Sequence, residues 1–140
     1  IYDKYIAGSP VRYVNNRTQQ TLAHSVAAVV TSGTATLETA LMGIPEVVLY
    51  HVPWLYEKLK PYFLRIPYIS LVNINLGREC VKELVRANLK MEEATKELRA
   101  ILPNGKERER MLADFRELST MIGSEGASAR FAKDIVKQLR

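Results

Sequence analysis

Two apolar runs without polar alternation stand out in the first half of the chain, residues 27–31 (AAVVT) and 46–50 (EVVLY). Uninterrupted runs of this length are typical of strands buried on both faces of a parallel sheet. Residues 11–14 (VRYV) and 68–72 (YISLV) are rich in β-branched and aromatic side chains, and they are predicted as two further strands. Residues 73–77 are predicted as a loop.

Helices are predicted between and after these strands, because apolar residues recur at helical spacing and Gly or Pro follows most of these segments. They cover residues 1–8, 17–25, 35–42, 54–64, 79–87, 91–102, 106–122 and 127–139. The order β-α-β-α-β-α-β, followed by helices, predicts an α/β fold with a Rossmann-like parallel sheet and helices on both faces. We expect residues 1–102 to form the sheet-containing part and residues 103–140 a helical extension of the same domain.

The composition is that of an ordinary globular protein, with 47% hydrophobic and 25% charged residues among 140, and this excludes a wholly disordered chain. Cys80 is the single cysteine, so an internal disulfide is excluded. The 20 basic and 15 acidic residues leave a net charge of +5 that is dispersed along the chain. Such an excess suits an anionic ligand or membrane surface, and we expect no nucleic-acid partner. The chain starts at Ile1 with the pattern of a helix end, so we expect a fragment of a longer protein.

The candidate site is the turn at which the second predicted strand meets the following helix, in the sequence VVTSGTATLE of residues 29–38. At the carboxyl edge of a parallel sheet, the free N–H groups and the dipole of such a helix attract phosphate. Gly33 permits close approach of a ligand, and Glu38 is placed to accept hydrogen bonds from two ribose hydroxyls. The hydroxyl donors are Ser32, Thr34 and Thr36.

A plainer interpretation of the same residues stays open. Thr34 then only caps the helix, and Glu38 is only a solvated helix residue. The segment contains neither the G-x-G-x-x-G pattern of dinucleotide-binding folds nor the G-K-[ST] of a phosphate-binding loop. The residues by themselves therefore predict an anion-binding α/β domain and no particular reaction.

Four linked motifs resemble those of the lipid-A-disaccharide synthase family, whose members are glycosyltransferases of the GT-B architecture. They occur in the family's order, with compatible spacing, and span nearly the whole chain. They are SGTATLE at 32–38 with the following G-x-P and VVLY at 43–50, YISLVN at 68–73, RECVKEL at 78–84, and FREL at 115–118.

The resemblance implies two Rossmann-like domains with the active site between them, of which this chain is similar to the C-terminal, nucleotide-binding one. The implied reaction transfers 2,3-diacylglucosamine from UDP-2,3-diacylglucosamine to lipid X, giving the lipid A disaccharide 1-phosphate and UDP, without a cofactor or a metal. The N-terminal domain, with the acceptor site and the catalytic base, would lie outside this chain. No catalytic residue is therefore assigned here, and we expect the chain alone to be inactive.

The resemblance also implies roles for individual residues. Ser32, Gly33, Thr34 and Thr36 would lie at the pyrophosphate, Glu38 would hold the ribose, and Asn73 would reach the donor from the neighbouring strand end. Weaker candidates are Tyr50, His51, Arg78 and Glu83. A lone structural histidine at His51, and an ordinary helix-surface pair of Arg78 with Glu83, remain alternatives. Val72 stands where the family usually has proline, and His51 where it often has another basic residue.

The implied partners are UDP-diacylglucosamine, lipid X and the N-terminal domain, with a homodimer formed through the C-terminal helices. Aromatic and basic residues at 53–65 suggest peripheral membrane contact, although they equally suit a core helix with solvated lysines. The implied location is the cytoplasmic face of the inner membrane of a Gram-negative bacterium. Other hypotheses are another GT-B enzyme that uses UDP-sugars, and a non-catalytic nucleotide-binding or dimerisation module.

Overall fold

The computed structural model of the protein describes residues 3–31, 33–53 and 67–123. Within these ranges it contains three strands and six helices. In chain order they are α1 (Asp3–Ile6), α2 (Thr18–Ala23), β1 (Ala28–Thr31), α3 (Thr34–Leu41), β2 (Glu46–His51), α4 (Leu71–Leu76), β3 (Lys82–Arg86), α5 (Met91–Ile101) and α6 (Arg108–Ile122).

The three strands form one parallel sheet in the order β1-β2-β3. The register places Val30 beside Val48, and Leu49 beside Leu84. Because all three strands run in the same direction, their carboxyl ends lie at one edge of the sheet. The α/β fold class that the sequence pattern predicts is confirmed.

The core lies between the sheet and the helices that cover it. Helix α3 packs against β1, β2, α4 and α6, while α5 packs against β2 and α6. Helix α6 buries Met111, Phe115 and Leu118, which recur at helical spacing along one face. The buried side chains of the core come from the sheet, from the helices that cover it and from the segments between them. They include Ala40, Val47, Val48, Val72, Cys80, Val81, Leu84 and Ile101. This packing holds α3, and the turn before it, in a defined position on the sheet.

The central strand behaves as its apolar pattern predicts, since Val47 and Val48 are buried. The first strand does not: Val30 is buried, but Val29 is 52% exposed. In the described part of the chain, β1 is an edge strand that pairs with β2 alone. The prediction that residues 27–31 are buried on both faces is therefore wrong for this strand, because an edge strand has less structure packed around it.

Four predictions of secondary structure are corrected by the structure. Residues 11–14, predicted as a strand, are exposed and lie outside the three described strands. Residues 68–72, predicted as a strand, and 73–77, predicted as a loop, instead lead into and form α4, which starts after Ser70 and ends at Gly77. The predicted helix over residues 79–87 is replaced by β3.

The exchange of helix and strand around residue 77 has a physical cause. The side chain of Ser70 accepts a hydrogen bond from the backbone N–H of Asn73, which starts a helix, and Gly77 ends it with a φ of 66°. Leu84 and Val85 are then buried beside β2, so strand pairing prevails over the helical propensity of the charged residues around them.

The remaining predictions within the described ranges are confirmed to within a few residues. They are the helices at 17–25, 35–42, 91–102 and 106–122 and the strands at 27–31 and 46–50, while α1 is a short turn of the helix predicted for 1–8. The helices predicted at 54–64 and 127–139 lie outside the described residues, and the division at residue 102 stays a prediction. No described helix is long and apolar enough to cross a membrane.

Candidate functional site

The carboxyl edge of the sheet brings together the ends of three strands and the starts of two helices. Thr31 ends β1, His51 ends β2 and Arg86 ends β3. Helix α3 starts at Thr34, three residues after β1 ends, and α5 starts at Met91, five residues after β3 ends. Ligands of parallel α/β folds bind at this edge, because helix N-termini and loops converge there.

Gly33 occupies the N-cap position of α3 with a φ of 117° and a ψ of −160°. Side-chain-bearing residues rarely adopt this conformation, and a Cβ at this position would meet only open space. Gly33 has no side chain with which to cap the helix. The N–H of Thr36 donates to the carbonyl oxygen of Gly33 at 3.2 Å, while the N–H groups of Thr34 and Ala35 precede the hydrogen-bond ladder of α3. The alternative in which Thr34 is the N-cap is wrong, since Thr34 is the first helical residue.

Replacing Gly33 with alanine is expected to lower the free energy of unfolding by about 1–3 kcal/mol, because alanine is strained at this φ whatever the space around it. Urea denaturation measures the change. Thr34→Ala is the matched control: its side chain is exposed, so its effect should stay within about 0.5 kcal/mol. Equal stability of the wild type and Gly33→Ala would contradict the described backbone at this turn.

Thr34 and Glu38 lie four residues apart on one face of α3 and line the same depression, which has a volume of about 530 Å³. Thr34 is exposed and Glu38 is half-buried. Its other lining residues are Gln19 of α2 and Leu37, Leu41 and Met42 of α3. The structure thus brings together a hydroxyl and a carboxylate predicted for the phosphate and the ribose. Ser32, the first residue of the predicted turn, lies outside the described residues.

Thr36 points in a different direction. Its side chain is fully buried, and its hydroxyl donates a hydrogen bond of 2.8 Å to the carbonyl oxygen of Gly33. This contact closes the first turn of α3 around the glycine. A direct contact of Thr36 with a ligand stays a prediction, and the hydroxyl proton already has an acceptor within the turn.

Asn73 is fully buried in α4, not at a strand end as the sequence suggested. Its Oδ1 accepts hydrogen bonds from the N–H groups of Cys80 (2.7 Å) and Val81 (2.9 Å). Its Nδ2 donates to the carbonyl oxygen of Val81 and to Oε1 of Glu83, both at 2.9 Å. All four hydrogen-bonding positions of the amide are therefore used inside the chain, and a donor contact of Asn73 stays an untested prediction.

Glu83 completes the same network from β3. Its carboxylate accepts hydrogen bonds from the N–H groups of Ile69 and Ser70, at 2.9 Å each, and from the hydroxyl of Ser70 at 2.7 Å. Together with its bond from Asn73, these contacts join the start of α4 to the start of β3. The network stabilises the junction between α4, which was predicted as a strand and a loop, and β3, which was predicted as a helix.

Arg78 lies in the segment between α4 and β3 and contacts Asp114 and Glu117 of α6. These hydrogen bonds raise the pKa of Arg78 and lower the pKa of Glu117. Arg78 and Glu83 thus have separate partners, and neither lies on a helix. The alternative that they form an ordinary helix-surface pair is wrong.

Tyr50 and His51 are exposed at the carboxyl end of β2, so both lie at the candidate edge. The register places His51 directly beside Arg86 of β3. Sequence reasoning missed Arg86, because the helix predicted over residues 79–87 gave it no position at the edge. The two adjacent apolar residues before Arg86, Leu84 and Val85, were the signal in the sequence for a buried strand that ends at Arg86.

Glu46, at the opposite end of β2, was also missed. It is fully buried, and neither of its carboxylate oxygens has a hydrogen-bond partner in the described part of the chain. Burial raises the pKa of Glu46 to about 9, so the side chain is neutral near pH 7. The signal available in the sequence was a single acidic residue at the head of an apolar strand.

A second cavity of about 530 Å³ lies away from the candidate edge, between the start of β3, α5 and the start of α6. Its lining carries both charge signs. Lys82 lies 3.1 Å from Glu79, and Arg110 lies 2.9 Å from Glu107. These pairs neutralise part of the lining. Of the residues predicted for a ligand, those that the structure describes do not line this cavity.

The fold and the candidate edge define the class of this protein as a Rossmann-like α/β domain with an open helix N-terminus at the carboxyl edge of its parallel sheet. A sequence model of the family described as Lipid-A-disaccharide synthetase matches residues 9–135. The chain therefore belongs to the lipid-A-disaccharide synthase family, and the resemblance seen in its motifs is confirmed.

Individual relatives agree with this assignment. The lipid-A-disaccharide synthase of Anaeromyxobacter dehalogenans strain 2CP-1 is 36% identical over 130 residues, which are 93% of this chain and 34% of the relative. Those of Solibacter usitatus and Myxococcus xanthus are 33% and 35% identical, over 94% and 90% of this chain and 35% and 33% of their own lengths. The chain spans about a third of the length of the curated relatives it matches.

Proposed function

We propose that this chain supplies the donor-nucleotide half-site of a hexosyltransferase in lipid A biosynthesis. The complete protein would transfer 2,3-diacylglucosamine from UDP-2,3-diacylglucosamine to lipid X and release UDP. One observation carries the proposal: in a chain of this family, α3 starts at the carboxyl edge with a side-chain-free N-cap, and Thr34 and Glu38 line one depression beside it.

The chemistry of the leaving group matches this arrangement. When the glycosidic bond to UDP breaks, negative charge develops on the diphosphate, and oriented donors stabilise it. The N–H groups at the start of α3 and the dipole of that helix supply such stabilisation without rearrangement. The carboxylate of Glu38, one turn along, accepts hydrogen bonds from the ribose hydroxyls of the same nucleotide.

The buried polar residues play a supporting part in this proposal. Thr36 closes the turn at Gly33, and Asn73 with Glu83 ties α4 to β3. The contact of Thr36 fixes the turn at the carboxyl edge, and the Asn73–Glu83 network fixes the start of β3, the strand that ends at that edge. The nucleotide therefore meets a preorganised surface. We assign direct ligand contact to Gly33, Thr34 and Glu38, with Ser32 as an expected neighbour.

The acceptor site and the catalytic base belong, in this proposal, to a domain outside the chain. The chain alone should bind nucleotide without forming disaccharide, because both walls of the cleft are needed to position donor and acceptor. Attachment to the cytoplasmic face of the membrane and a homodimer through the C-terminal helices are part of the same proposal. Their sequence support lies in residues 53–65 for the membrane and in residues 104–140 for the dimer.

Glu38→Ala is expected to weaken UDP binding about tenfold or more, because it removes the acceptor for two ribose hydroxyls. Isothermal titration calorimetry of the wild type and the variant measures the change. Glu97→Ala is the matched control: Glu97 is also a half-buried glutamate on a helix, but it lines the other cavity. Equal UDP affinity of Glu38→Ala and the wild type would refute the assignment of the ribose site.

A further inference from the structure

We propose that Arg86 is a further ligand-binding residue, whose guanidinium pairs with the diphosphate of the nucleotide at the carboxyl edge of the sheet. This inference rests on the proposed function and adds a residue to its site. It starts from position: Arg86 is the last residue of β3, and its Cα is the register partner of His51, the last residue of β2.

The backbone of Arg86 is fixed at this edge. Its carbonyl oxygen accepts a hydrogen bond of 3.2 Å from the N–H of Val52, which extends the pairing of β2 and β3 by one step. The side chain therefore starts from a defined point at the edge where ligands of parallel sheets bind. Its exposed fraction is 43%, so it is accessible to a ligand.

Within the described residues, two contacts hold the side chain of Arg86. Its Nη1 donates to the carbonyl oxygen of Val85 at 3.1 Å, and its Nη2 lies 3.5 Å from Oε1 of Glu93. Charge-assisted hydrogen bonds between arginine and carboxylate are normally about 2.7–2.9 Å long, so the contact with Glu93 is a weak one. Arg110, by contrast, has contacts of 2.9 and 3.1 Å with two carboxylates.

A diphosphate needs more positive charge than a helix end provides. The start of α3 carries a charge equivalent to about half a unit. A guanidinium carries a full charge and forms two parallel hydrogen bonds with phosphate oxygens. β1 and β3 lie about 10 Å apart on either side of β2, a gap that a diphosphate and an extended arginine side chain can bridge together.

The test compares two cations on the same strand. Lys82 starts β3 at the amino edge and Arg86 ends it at the carboxyl edge, four residues later. Arg86→Ala should weaken UDP binding about tenfold in calorimetry, whereas Arg86→Lys should retain part of the affinity and Lys82→Ala all of it. Glu93→Gln, which removes the competing carboxylate, should strengthen binding.

Uridine, which has no phosphate, separates a phosphate contact from a structural effect. In an NMR titration, uridine should bind Arg86→Ala and the wild type equally. Equal UDP affinity of Arg86→Ala and the wild type would overturn the role of Arg86 and leave the proposed function intact. Equal losses of UDP and uridine binding would also overturn it, as a structural effect. A wild-type protein that binds no UDP would overturn both proposals.

Discussion

Replacing Asn73 with alanine should lower the free energy of unfolding by about 3–5 kcal/mol. The buried amide makes four hydrogen bonds within the chain, and its removal leaves the N–H groups of Cys80 and Val81 without their acceptor. An unsatisfied buried donor costs about 1–3 kcal/mol. Because Oδ1 of Asn73 accepts two of these hydrogen bonds, its removal should cost more stability than the loss of one ordinary side-chain hydrogen bond.

The same helix offers a matched control for this experiment. Asn75 is exposed, and its side chain makes one local hydrogen bond, to the carbonyl oxygen of Leu71. Asn75→Ala should change the free energy of unfolding by no more than about 1 kcal/mol. Urea denaturation followed by circular dichroism measures both variants. Similar losses for the two would show that the Asn73 network does not stabilise the junction between α4 and β3.

The position of Asn73 also bears on the function. If the amide acts only through structure, Asn73→Ala should lose stability first and bind UDP normally in the fraction that remains folded. A stable Asn73→Ala variant with much weaker UDP binding would instead support the direct donor contact that the family resemblance implies. The two measurements together decide between the roles.

The stability of the protein should fall as the pH rises from about 5 to 8, with Glu46 as a main cause. Burial raises the pKa of Glu46 to about 9, from a value of 4.5 for the exposed side chain. Between these values the folded state keeps a proton that the unfolded state has released. The contribution of Glu46 to the free energy of unfolding is therefore greatest below pH 4.5. It falls as the pH rises, by up to about 1.4 kcal/mol per pH unit.

Glu46→Gln isolates this contribution, because glutamine has nearly the same shape and stays neutral. At pH 8 the variant should be more stable than the wild type by about 4–5 kcal/mol, and the difference should shrink towards pH 5. Glu92→Gln, on an exposed position of α5, is the control and should leave the slope unchanged. Parallel pH profiles for Glu46→Gln and the wild type would show that Glu46 is ionised in the folded protein.

A carboxyl group without a partner in the core is uncommon, and its cost explains the size of this effect. The backbone N–H of Glu46 faces the sulfur of Met111 at 3.4 Å, so the surroundings of the residue at this end of β2 include a thioether. Such an environment favours the neutral acid over the carboxylate. Glu46 lies at the edge of the sheet opposite the candidate site, so its titration should affect stability and leave UDP affinity unchanged at a fixed folded fraction.

The candidate site could be found from sequence because its signal is local. A strand, a small-residue turn and a helix follow one another within residues 29–38, and each step depends on near neighbours. Gly33, Thr34 and Glu38 accordingly lie where the pattern placed them. Arg86 and Asn73 depend on pairing with distant residues, and the sequence pattern placed both in the wrong kind of element.

The chain from residue 68 to residue 87 shows the limit most clearly. YISLV favours a strand by composition, and the charged residues around Leu84 favour a helix, yet the structure has a helix first and a strand second. The contacts that decide this are non-local. Glu83 holds the start of α4 by three hydrogen bonds, and β2 pairs with β3 along five residues.

The sequence by itself determined the α/β class, the parallel order of β1 and β2, the glycine turn before α3 and the family. These follow from apolar periodicity, turn residues and motif spacing, which act over a few residues at a time. Only the tertiary structure decided that Asn73 is buried and saturated with hydrogen bonds, that Glu46 is a neutral acid, and that Arg86 stands beside His51. The physical reason is that burial, strand register and hydrogen-bond partners depend on which distant segments meet, and no local pattern of residues contains that information.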